Sequence, residues 1–99
     1  MTDTSDKIEV LSITSPDYVT RLDRPKFEAM RDAMLAILPA DAPGITVAEA
    51  KKRLLPLLPN DLFPGGEKAG WWLKAVQLDQ EARGTIKRAP GSPVRLYRT

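Results

Sequence analysis

Five basic residues close the sequence, Arg83, Lys87, Arg88, Arg95 and Arg98, with no acidic residue among them or after them. The other ten of the fifteen basic groups, and all thirteen acidic ones, lie in the preceding 82 residues, which therefore carry a net charge of −3. A one-sided basic run of this kind suits an anion-binding surface, because phosphates are held by lysine and arginine. The same residues also serve as edge guards on a solvated hairpin. A second stretch, PGGEKAG at Pro64 to Gly70, sets two glycines ahead of a helical pattern, where free backbone amides can face an anion. Its spacing is not that of a nucleotide-binding loop, and Glu67 in a first helical turn would itself occupy the positive end of the helix.

The residue types that are missing restrict the chemistry further. The chain has no histidine and no cysteine, which removes disulfides, thiolate nucleophiles, serine–histidine pairs and the usual zinc ligands. The carboxylates Asp17, Asp61 and Asp79 show no paired spacing, and Asp79, inside the last helical pattern, suits a salt bridge or a cap. No catalytic, cofactor-binding or metal-ligating residue is therefore expected. The expectation is a non-enzymatic binding module.

With 99 residues, the chain suits one domain, expected over residues 8–99 after a loose tail at 1–7. No apolar run approaches the roughly 18 residues of a membrane span. The start, MTDTSDKIEV, lacks the basic and apolar regions of a secretory signal, so the default expectation is a cytoplasmic protein with no membrane partner.

Three helices and two hairpins are expected to position these groups. IEVLSI (8–13) and YVTRL (18–22) flank the turn signal Ser15, Pro16, Asp17 and predict an N-terminal strand or hairpin. Asp23 as cap and Pro25 in the first turn open a helix at about 25–38, with Phe27, Met30, Met34, Ile37 and Leu38 inward. Thr46, Val47, Ala48, Glu49 spell a capping box, in which the threonine accepts from a free amide and the glutamate reaches back. The helix that follows, at about 47–55, turns Lys51, Lys52 and Arg53 outward and stops at Pro56. A proline- and glycine-rich connection, anchored by Leu62 and Phe63, leads to a third helix at about 67–83, terminated by Gly84. Thr85–Arg88 and Val94–Tyr97 form a hairpin at about 85–97, with Ile86, Val94 and Leu96 on one face.

At about 100° per residue, Trp71, Ala75, Leu78 and Ala82 share one stripe of the third helix, with Trp72 on its shoulder. The stripe predicts Trp71 in the core, while Trp72 either packs under the proline-rich loop or lies partly exposed, in the second case an aromatic platform for a partner beside an exposed Leu73. Leu73, Lys74, Gln77, Gln80 and Glu81 then make up the outward face.

The layout is α+β: a helix, a capped helix, a longer helix, a glycine and a basic hairpin. From Asp23 to Thr99, with ARGTIKRAPGSPVRLYR as the run from last helix into hairpin, it resembles the winged helix-turn-helix family. The resemblance implies DNA binding, with Lys68, Lys74 and Gln77 facing a groove and Lys87, Arg88, Arg95 and Arg98 along phosphates. LFPGGEKAGWWLKAVQLDQEARG also resembles short bacterial proteins with no assigned activity, and implies a bacterial origin. Winged-helix domains also dock proteins and dimerise. A protein partner or homodimer through Trp72 and Leu73, aided by the N-terminal strand's open edge, is the main expectation, and DNA is the alternative.

Overall fold

The computed structural model describes residues 6–15 and 17–99. The expected tail lies mostly outside this range, as does Pro16 of the expected turn signal. Two strands come first, β1 (Lys7–Val10) and β2 (Thr20–Asp23), paired antiparallel with Ile8 opposite Leu22 and Val10 opposite Thr20. The N-terminal hairpin is thus present, with shorter strands than the apolar runs suggest.

Helix α1 (Arg24–Ile37) begins where predicted, because the Asp23 carboxylate accepts from the Lys26 amide at 3.1 Å and Pro25 occupies the first turn. It buries Phe27, Met30, Ala33 and Met34. Strand β3 (Ile45–Thr46) follows, then α2 (Val47–Leu54), which the Thr46 hydroxyl caps by accepting from the Glu49 amide at 3.2 Å. Only this half of the expected capping box forms. The Glu49 carboxylate turns instead to Arg53, 2.7 Å away, whose hydrogen bond holds its pKa below the ordinary carboxylate value.

Pro56 stops α2, as its missing amide requires, and Leu55–Leu57 tightens into a 3-10 turn. The connection that follows is pinned from inside by Phe63, which is buried, and from outside by the Gly65 amide, which donates to the Asn60 side chain at 3.1 Å. Helix α3 (Ala69–Arg83) starts two residues later than expected, so Glu67 lies outside its first turn. Gly84, at φ 85°, ends it in the left-handed region that favours glycine, and Thr85 donates its amide back to the Gln80 carbonyl.

The C-terminal hairpin, β4 (Ile86–Arg88) and β5 (Arg95–Arg98), gains a third strand. β3 pairs antiparallel with β5, giving the order β3-β5-β4 with Ile45 opposite Leu96. This close approach depends on Gly44, whose φ is +85° and where an added Cβ would overlap the Leu96 carbonyl oxygen. The core lies between the three helices and this sheet and includes Phe27, Met30, Met34, Leu54, Phe63, Val76, Ile86 and Leu96. The fold is α+β, three helices with two small antiparallel sheets, the N-terminal hairpin and a sheet that joins the mid-chain β3 to the C-terminal hairpin.

Candidate functional site

The third helix is rotated from its predicted phase. Its buried side holds Ala69, Trp72, Leu73, Val76, Gln77, Asp79 and Gln80. Trp71 is 57 % exposed, the reverse of the expectation; Trp72, at 7 %, takes the buried alternative, and Leu73, expected outside, is buried at 2 %. The two residues predicted as an exposed protein interface are therefore core residues. Trp72 packs edge-on between Phe63 (6.3 Å between ring centroids) and Trp71 (5.2 Å), so it forms the floor on which Trp71 stands.

Three polar side chains set this phase, and they were expected outside or near the stripe's edge. Asp79 is fully buried. Its carboxylate accepts from the Leu11 amide at 2.8 Å, from the Gln80 side chain at 2.8 Å and from Arg83 at 2.9 Å. Arg83 also donates to the Glu9 carbonyl, and Gln80 accepts from the Thr85 hydroxyl. Asp79 is thus the salt-bridge partner predicted from its position, and it also joins α3 to the N-terminal hairpin. Gln77 is buried and donates to Glu81 at 2.9 Å, so its amide is turned away from any ligand of the outer face. Among the described residues no buried side-chain polar atom lacks a hydrogen-bond partner.

The remaining predicted nucleic-acid contacts divide into two sets. Ladder pairing puts Lys87 opposite Tyr97 and Arg95 opposite Thr46, on the outer face of the sheet. Arg88 and Arg98 point the other way. Arg88 binds Glu81 at 3.0 Å, a hydrogen bond that raises the guanidinium pKa above its ordinary value, and Arg98 donates to the Leu38 carbonyl. Lys74 is exposed on α3, and Lys68, also exposed, precedes the first turn of the helix at φ 62°. Two of the four hairpin cations are therefore committed internally.

On the side of α3 away from the core, the surface is mostly apolar. A cleft of about 270 Å3 runs between α3 and the N-terminal hairpin, lined by Val10, Leu22, Tyr18, Trp71, Ala75 and Leu78 among others. Tyr18 (62 % exposed) and Trp71 stand at its rim, and Val19 (49 %) and Ile13 (46 %) extend the apolar surface along the loop. The Ile13 amide donates to the Leu78 carbonyl at 3.2 Å, which fixes the loop against the helix. The sequence signal for this surface was the stripe Trp71, Ala75, Leu78, Ala82, correctly grouped but assigned to the wrong side.

Among the described residues no cluster of three acidic side chains is arranged to hold a metal ion, and no helix is long and apolar enough to cross a membrane. Fold and surface define a small α+β domain with an aromatic-rimmed cleft between a helix and a hairpin. The chain belongs to a family of unknown function (DUF6958), whose model matches residues 7–96. No curated protein and no solved structure matches it.

Proposed function

We propose that the protein is a non-enzymatic binding module that docks a protein surface through the cleft between α3 and the N-terminal hairpin. The observation that carries this reading is Trp71, more than half exposed, at the rim of an apolar cleft and held from below by Trp72. Exposed aromatic anchors on a rigid base are what protein interfaces use, since a pre-positioned indole contributes area at little ordering cost. The test uses the apolar dye anilinonaphthalene sulfonate on the folded protein. Wild type binds it with a blue-shifted emission, and Trp71→Ser combined with Leu78→Ser loses most of that signal while keeping its circular dichroism. Equal dye binding by both proteins refutes the cleft.

A second reading is nucleic-acid binding on a winged-helix framework. In its favour are the element order α1-β3-α2-α3-β4-β5 and the sheet order β3-β5-β4, with Lys87 and Arg95 on the outer face of the hairpin. Against it stand the apolar outer side of α3, the burial of Gln77, and the internal bonds of Arg88 and Arg98. Titration with random duplex DNA at about 50 and 200 mM salt separates the two, because phosphate contacts weaken steeply over that range. Salt-sensitive binding abolished by Lys87→Glu and Arg95→Glu would establish this second reading.

A further inference from the structure

Trp71, Ala75, Leu78 and Ala82 recur at steps of four, three and four along the outer side of α3, the spacing of a helix-on-helix seam. Their sizes alternate large, small, large, small. A two-fold axis crossing the helix between Ala75 and Leu78 reverses the stripe onto itself. It sets Trp71 over Ala82 of the partner subunit and Leu78 over Ala75 of the partner subunit, a large residue against a small one at every layer. A parallel pairing in register would instead stack Trp71 on Trp71 of the partner subunit and leave a gap at the alanines. We infer that the occupant of the cleft surface is a second copy of this chain, packed through an antiparallel, self-complementary α3 pair.

The flanks of the stripe agree with the reversal. Lys74 and Glu81 lie seven residues apart on the same flank, and in an antiparallel pair equal flanks meet. Lys74 then lies beside Glu81 of the partner subunit. Within each chain the Glu81 carboxylate already accepts from Gln77 and Arg88, so Lys74 meets a neutralised cluster and not a further free cation. The two helix dipoles also lie side by side and antiparallel, the positive end of each beside the negative end of the other, which is the favourable sense.

The opposite flank is the hairpin loop. Ile13 lies beside Ala82 and Leu78, and Tyr18 lies across the cleft from Trp71. The same axis brings Ile13 toward Tyr18 of the partner subunit. A stable interface buries about 800 Å2 per partner; the helix stripe is too narrow to supply this by itself, and the exposed loop residues extend it on both ends. This inference rests on the cleft being a docking surface, and it names what docks.

The test is sedimentation equilibrium of the full chain from micromolar to millimolar concentration. Trp71 and Ala82 are both exposed, so substitutions there leave the core intact, which circular dichroism checks. Wild type is expected to dimerise. Trp71→Ala removes the large partner and Ala82→Trp sets two indoles against each other, so each weakens the dimer about tenfold or more. The double variant W71A/A82W restores large against small with the positions exchanged, and regains most of the loss. Rescue by the swap is specific to the antiparallel register. A dimer indifferent to both single changes, or one that the swap does not rescue, overturns the inference. A wild-type monomer at millimolar concentration that still binds the apolar dye through Trp71 also overturns it while leaving the docking surface in place. A monomer that binds no dye removes both.

Discussion

The N-terminal hairpin has two strands, meets α3 through the buried Asp79 carboxylate, and leaves Ile13, Tyr18 and Val19 in solvent. The C-terminal hairpin recruits β3 as a third strand, buries Ile86 and Leu96, and turns two of its four cations inward onto Glu81 and Leu38. In sequence the second hairpin looks the more functional, because its charge is one-sided. In the folded chain the first one offers the more distinctive surface. Charge that is conspicuous in a sequence can be used up by internal pairing, whereas an exposed aromatic beside a cleft has no internal use to absorb it.

Substitutions at the attachment of each hairpin sharpen this contrast. The largest effect is expected at Gly44→Ala, which forces a Cβ into the Leu96 carbonyl at a left-handed φ. A loss of about 4 kcal/mol, or failure to fold, is predicted by urea titration, because neither backbone can retreat without parting β3 from β5. Next comes Asp79→Ala, which strips the partner from Arg83, Gln80 and the Leu11 amide together. Arg83, 43 % exposed, can turn to water, so the cost comes mainly from the Leu11 amide and the Gln80 side chain left without their acceptor, about 2 kcal/mol. The Leu11 amide should then lose its protection against hydrogen exchange before the amides of β5 do. If β5 exchanges first, the N-terminal hairpin is not tied to the helix by this carboxylate.

Smaller effects probe the basic hairpin and the surface ion pairs. Charge reversal at Lys87 and Arg95, both on the outer face, is expected to leave dye binding and stability nearly unchanged. Substitution of Arg88 should lower stability measurably, because it frees a Glu81 carboxylate whose side chain is 6 % exposed. Glu49→Gln is a milder change than loss of Arg88. The folded-state pKa of Glu49 is lowered, so the Arg53 bond contributes above the ordinary carboxylate pKa near 4.5 and is lost as pH falls through the lowered value. Thermal melts of E49Q should match wild type near the acid end and fall slightly below it at neutral pH, since the contact is exposed and screened.

Much of the fold was legible because local signals are strong where they occur. Asp23, Thr46, Pro56 and Gly84 each act through one backbone requirement, a free amide, a missing amide or a left-handed φ, and each stands at the helix end expected of it. The phase of α3 was not legible. That helix mixes apolar and polar residues on every side, with tryptophan or leucine on both, so spacing alone leaves its rotation open. What fixes it is the burial of Gln77, Asp79 and Gln80, polar residues whose partners come from Leu11, Glu81, Arg83 and Thr85. The Leu11 partner is 68 residues away in the chain, and nothing local to the helix announces it. Strand β3 escaped notice for a related reason: two residues carry no period, and only the Gly44 turn brings them to β5.

The proposed docking surface is the outer side of α3 with the N-terminal hairpin, and not the basic hairpin. A concentration series of amide and indole NMR spectra, from micromolar to millimolar protein and again with duplex DNA, distinguishes the two surfaces. Concentration-dependent shifts are expected at the Trp71 indole, Tyr18, Leu78 and Ala82, with Lys87 and Arg95 unmoved and no added change from DNA. Shifts confined to Lys87, Arg95 and Lys74 on addition of DNA, with the Trp71 indole silent throughout, would contradict the proposed surface.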